Sequence, residues 1–225
     1  MRSRRERRRL RWACGLVALL LPALLPACSS TEPVTGNTRF ETAGSTSFDD
    51  GAQQPPSAGT LYAMARILEA QGKNGELEVV LQKILRMAPE FPPTYNDLAR
   101  LQMRNGRTGD AIQTLLEGCR IAPNDPVLLN NIGMCWLISG RYEEALDSFS
   151  RAAAADPHNG RYRANAATSL GMLGRYDEAL SLFSQVVSES EAHHNLALLC
   201  EARGDNDRAA VEAKLAGAED LPPAP

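Results

Sequence analysis

Four glycines, Gly72, Gly106, Gly140 and Gly174, stand 34 residues apart, and Pro89, Pro123 and Pro157 keep the same interval. Each of these prolines follows one of the glycines by seventeen residues. Both residue types punctuate helices, so a shared period marks a repeated supersecondary unit rather than one large core. Between the punctuation, apolar residues recur at three- and four-residue spacings, as amphipathic helices require. Glycine permits a tight turn between the two helices of a unit. Proline disfavours helical geometry in the residue before it and so ends the second helix. One hairpin cannot cover its own apolar face, so neighbours must stack, and the chain is expected to be an all-α solenoid.

The side chains between the punctuation are patterned as well. First helices carry a large residue, a large aliphatic, a small residue and another large one. These positions read Leu61, Met64, Ala65, Leu68, then Tyr95, Leu98, Ala99, Gln102, then Leu129, Ile132, Gly133, Trp136, then Arg163, Ala166, Ala167, Leu170. Second helices supply Ala111, Leu115, Gly118 before Pro123, then Ala145, Phe149, Ala152 before Pro157, then Ala179, Phe183, Val186 without a proline. The segments 140–146 and 174–180 read GRYEEAL and GRYDEAL. This period and pattern resemble the tetratricopeptide repeat (TPR) family. A fifth, degenerate unit follows: Gly204 lies 30 residues after Gly174, which places a four-residue deficit near Ser188–Glu191. Its helices carry His193, Leu196, Ala197, Cys200 and then Ala209, Ala213, small residues expected to form a thin terminal cap. The resemblance covers residues 58–218 as units 58–91, 92–125, 126–159, 160–189 and 190–218. It implies an all-α, right-handed superhelix of about five helix-turn-helix repeats, with a concave groove lined by the first helices.

The ends read differently. Residues 2–11 are arginine-rich, and an apolar run extends from Trp12 to Leu25, shorter than the ~20 residues that span a bilayer. A basic head before a short apolar core suits a secretory signal. The run closes on Leu25-Pro26-Ala27-Cys28, which resembles a bacterial lipobox. The resemblance implies cleavage of a signal peptide, 1–27, and lipidation of Cys28, and several acyl chains at one site anchor stably. The alternatives are an ordinary signal peptide with an incidental cysteine, or an anchor that is never cut. Ser29 after the cysteine resembles the signal for transfer to the outer membrane in bacteria with two membranes. The implied location is therefore the cell envelope, on an outer-membrane anchor facing the periplasm. Residues 28–57 are rich in Ser, Thr, Gly, Pro and Gln and lack periodicity, so a flexible tether of roughly 30 Å end to end is expected. Residues 219–225 are expected to be a disordered tail.

Charge and chemistry exclude several functions. The first 27 residues hold seven Arg and one Glu, leaving 17 basic and 26 acidic side chains, a net of −9, in the rest. Such a body is a poor match for phosphate backbones, so nucleic-acid binding is not expected. The sequence has no phosphate-cradling glycine loop, no histidine-glutamate metal motif and no nucleophile elbow. His158 falls in a turn between units. His193 and His194 are adjacent, and on a helix they point about 100° apart, which makes no metal clamp. Cys119, Cys135 and Cys200 are an odd set that suits small buried hydrophobes better than disulfides. Acidic pairs such as Glu143-Glu144 follow the turn glycines, where a helix N-terminus favours them. No catalytic residue, metal or cofactor is expected.

The implied groove is the better candidate site. Its face carries Tyr62 and Arg66, Asn96 and Arg100, Asn130 and Met134, Asn165 and Thr168, and finally His194 and Asn195. A ladder of amides offers paired donors and acceptors to a peptide backbone. Arg66 and Arg100 could pair with a carboxylate. The expected function is a lipid-anchored scaffold for protein–protein interaction. A TPR lipoprotein on a short tether is similar to lipoproteins that assemble tight-adherence (Flp) pili and to pilotins, which implies secretin or pilus-assembly subunits as partners. The alternative is a TPR regulator that binds a cell-wall or polysaccharide-export enzyme.

Overall fold

The computed structural model describes residues 56–218. The signal peptide, Cys28, nearly all of the tether and the tail expected from the sequence lie outside the described residues. Ten helices follow in order: α1 (Ala58–Ala70), α2 (Asn74–Met87), α3 (Pro92–Arg104), α4 (Thr108–Ile121) and α5 (Pro126–Ile138). They continue as α6 (Tyr142–Ala155), α7 (Gly160–Leu173), α8 (Tyr176–Phe183), α9 (Glu189–Arg203) and α10 (Asn206–Ala218). Among the described residues there is no strand, and no helix is long and apolar enough to cross a membrane.

The punctuation works as the spacing predicts. Gly72, Gly106, Gly140, Gly174 and Gly204 all adopt a left-handed φ, between +69° and +84°. At each turn the next residue's N–H donates back across it to the carbonyl five residues earlier. These bonds run from Lys73 to Leu68, Arg107 to Gln102, Arg141 to Trp136, Arg175 to Leu170 and Asp205 to Cys200. The motif satisfies carbonyls that the helix end leaves open. At the far end of a unit, Ala88, Ala122 and Asp156 precede the prolines with φ of −142°, −129° and −136°, out of the helical range. Four of the five first helices start on side-chain caps: Ser57 on α1, Asp125 on α5, Asn159 on α7, and a Ser188–Glu191 capping box on α9, whereas α3 opens on Pro92 after an uncapped Phe91.

Consecutive helices pack along the whole array. The small residue of each first helix, Ala65, Ala99, Gly133, Ala167 or Ala197, is buried. At Gly133 a Cβ would lie 2.7 Å from the Phe149 ring, so only glycine admits that approach. Cys135 and Cys200 are buried and Cys119 half-buried. Burial pushes the Cys135 thiol up to about 12, which leaves it protonated and unreactive at neutral pH.

One boundary differs from the sequence reading. The deficit expected near Ser188–Glu191 falls inside the second helix of the fourth unit, where α8 has 8 residues against 14 in α6. Ser188 instead caps α9. α8 ends at Phe183, which is buried in a core shared with α7 and α9, and α9 packs on both α7 and α8. The fifth unit also holds a buried carboxylate that its small residues did not announce. Glu212 is 1% exposed, 2.6 Å from His193 Nδ1, and also accepts from Arg208 Nε.

Candidate partner-binding groove

First helices of neighbouring units touch, α3 on α5 and α7 on α9, whereas second helices make no comparable contact with one another. The side on which neighbours are closer is the inside of the curve. Side chains on that side of α1, α3, α5 and α7 are joined by hydrogen bonds that cross from unit to unit.

The crossings share one register. Tyr62 donates to Asp97 Oδ2 at 2.8 Å, Asn131 Nδ2 donates to Asn96 Oδ1, and Asn165 Nδ2 donates to Asn130 Oδ1 at 2.7 Å. Each pair is 35 residues apart, one more than the period. Within a helix, Asn130 Nδ2 donates to Asn131 Oδ1 at 3.2 Å, and Asn96 Nδ2 lies 3.4 Å from Asp97 Oδ1. The result is one relay from Asn165 through Asn130, Asn131 and Asn96 to the Asp97 carboxylate. Each amide in it uses one donor, and the four together keep a second N–H each for a ligand.

The relay stops at Asn165 because the next unit-to-unit acceptor is missing. Asn195 holds the next donor position, but Ala164 stands 34 residues after Asn130, where the acceptor would be. Asn195 and the exposed His194 therefore lie beyond the connected ladder. Thr168 donates back to the Ala164 carbonyl of its own helix at 3.0 Å, and Met134 packs against Leu137, Phe149 and Ala166.

At the other end, Asp97 and Glu69 collect three guanidiniums. Arg100 donates to Glu69 at 2.6 Å and to Asp97 at 3.1 Å. Arg66 reaches Glu69 at 2.8 Å and Arg104 at 3.4 Å. Arg66 and Arg100, read from the sequence as partners for a ligand carboxylate, are thus already engaged by internal ones. The arginines remain more than two-fifths exposed while Asp97 is nearly buried, so three cations overlie two anions and face the groove. These are half-exposed pairs, whose contribution to stability is small. Tyr62 closes this end, edge-on to Phe91 with ring centroids 5.1 Å apart. Burial, then the bond to Asp97, pushes its hydroxyl up to about 12, so it stays a donor.

Sequence reasoning placed Tyr62, Asn96, Arg100, Asn130 and Asn165 on one surface but missed Glu69, Asp97, Arg104 and Asn131. The signal available was the 35-residue interval between asparagines, which differs from the period because the bond steps forward one position as it crosses. No group of His, Cys, Asp or Glu among the described residues could hold a metal ion.

The array and its inner ladder define a tetratricopeptide-repeat solenoid, a class whose members are protein-interaction scaffolds. Models described as tetratricopeptide repeat match residues 92–125, 137–190 and 190–213. Among solved structures, the MamA protein is 18% identical with a TM-score of 0.61, over 75% of this chain and 98% of that one. MamA from Desulfovibrio magneticus RS-1, residues 41 to the end, is 16% identical with a TM-score of 0.60, over 74% and 97%. YrrB, a TPR protein with an unusual peptide-binding site, is 17% identical with a TM-score of 0.60, over 72% and 85%. Identities this low establish the fold alone. No curated protein sequence matches the chain.

Proposed function

We propose that this chain is a lipid-anchored, non-catalytic adaptor that holds a partner protein's segment in the groove between Tyr62 and Asn165. The observation that carries the reading is the amide relay. Four asparagines are held in fixed orientation by one another, and each keeps an N–H for a ligand carbonyl. Preorganised donors lose little entropy on binding. The anchor is Cys28, the compartment is the cell envelope, and the partners are assembly subunits of a pilus or secretion machine. The lipobox resemblance and the layout of signal, tether and repeats support that part of the reading.

Asn130 is the relay's central member, bonded to both Asn131 and Asn165. Its replacement by alanine is expected to cost about 1 kcal/mol of stability or less, since the site is half-solvated. Capture of a partner from detergent-solubilised envelopes should fall by roughly tenfold in the Asn130→Ala chain. Undiminished capture by that variant would count against the groove. Separately, growth with labelled palmitate should label the wild-type chain and leave Cys28→Ala unlabelled. Equal label in both would remove the anchor from the proposal.

A further inference from the structure

The side opposite the groove holds a second opening. Second helices make no contact comparable to that of the first helices, and between α4 and α6, over α5, lies a cleft of about 510 Å3. Leu129, Ile132 and Trp136 of α5 form its floor, and Leu116 and Cys119 of α4 form one wall. The other wall is α6, which contributes the carboxylates of Glu143, Glu144 and Asp147, with Ser148 between them and Arg151 at the end. Glu144 is held by Arg141, whose guanidinium also lies 4.1 Å from the Trp136 ring centroid. Asp147 lies 3.8 Å from Arg151, and both are more than half exposed. Among the described residues Glu143 takes part in no ion pair.

The composition is particular to this joint. At the following one, the places of Leu116, Trp136 and Asp147 are taken by Ser150, Leu170 and Ser181. At the preceding one, Leu116 is matched by Gln82 and Glu143 by Gly109. Leu116 is also 36% exposed, an apolar wall residue facing solvent. An apolar floor with an aromatic and a surplus of carboxylate along one edge is the complement of an apolar side chain flanked by a cation.

We propose that this outer cleft is a second protein-binding site, which takes a partner segment presenting an apolar side chain next to Lys or Arg. The apolar residue inserts between Leu116 and Trp136, and the cation meets Glu143. The site is separate from the groove, since Asn130, Asn131 and Met134 lie on the other side of α5. One chain could then hold two segments at once.

The test uses the full chain in detergent and two fluorescein-labelled helical peptides. One has a leucine face flanked by lysines; the other has the same leucines flanked by glutamates. Fluorescence anisotropy should show binding of the lysine peptide and none of the glutamate peptide at equal concentration. Leu116→Glu should weaken the lysine peptide by roughly tenfold or more, and Glu143→Gln by a smaller factor. Leu116→Glu is the deciding variant, because it adds negative charge. Non-specific attraction of a cationic peptide to an acidic body would strengthen with it, whereas insertion in the cleft weakens. Asn130→Ala should leave this binding unchanged, which keeps failure of the groove distinct from failure of the cleft. Equal binding of both peptides, stronger or unchanged binding by Leu116→Glu, or loss with Asn130→Ala would overturn the proposal, as would no binding of either peptide.

Discussion

Replacing Phe149 with alanine is expected to destabilise the protein by about 3–5 kcal/mol, toward the upper end for a large-to-small core change. The side chain is fully buried in α6 and packs with Leu137, Ala145 and Ala166 from three successive helices. Its ring fills the space above Gly133, whose missing side chain made the approach possible. The surroundings therefore have nothing with which to fill the hole: Gly133 has no side chain, and Ala145 and Ala166 have one carbon each. The loss also has a distinctive form. In a solenoid, stability is the sum of each unit and its joints, and Phe149 sits where the third and fourth units meet. A urea titration followed by circular dichroism should show a lower midpoint and a broader transition, as the two halves of the array part company. A single sharp transition displaced by less than about 1 kcal/mol would mean that this joint does not couple the halves.

The second large effect is expected at Glu212. Its carboxylate is almost wholly removed from solvent and is satisfied by His193 and Arg208, with Arg208 continuing to Asp177 at 3.1 Å. Glu212→Leu removes the one group toward which both neighbours point. Breaking a buried pair costs ~3–5 kcal/mol when the remaining charge has no escape. Here Arg208 is 37% exposed and keeps Asp177, so a value near the lower limit, about 3 kcal/mol, is expected. A paired Glu212→Leu/His193→Leu chain should regain part of that loss, since the second change removes the orphaned imidazole and leaves only the half-exposed Arg208, which keeps Asp177. If the double variant is no more stable than Glu212→Leu alone, the penalty comes from shape rather than from unmatched polarity. Denaturant midpoints of the three chains separate these outcomes.

The two residues also show how far local pattern reaches. Phe149 falls at the large-residue position of a second helix, and Gly133 at the small position of the first helix before it, so their meeting is written into the repeat. Glu212 follows no such pattern. It lies 19 residues from His193 across a hairpin, in a helix whose neighbours are mostly alanines and charges. A glutamate there reads as a solvated side chain until the fold brings His193 and Arg208 around it. The groove divides in the same way. Asn96, Asn130 and Asn165 could be placed on one surface by spacing. That Arg66 and Arg100 are spoken for could not be seen, because Glu69 and Asp97 gain their meaning only when α1 and α3 lie side by side.

By itself the sequence determined the number of units, the turns at the five glycines, the stops before three prolines and the helix faces that must be buried. These follow from backbone sterics and from apolar spacing, both of which act over a few residues. Only the tertiary structure decided where the fourth unit is shortened, how the asparagines bond from one unit to the next, and that a cleft opens between α4 and α6. Those depend on distances between helices 30 or more residues apart in sequence, which are set by the packing of whole units against one another.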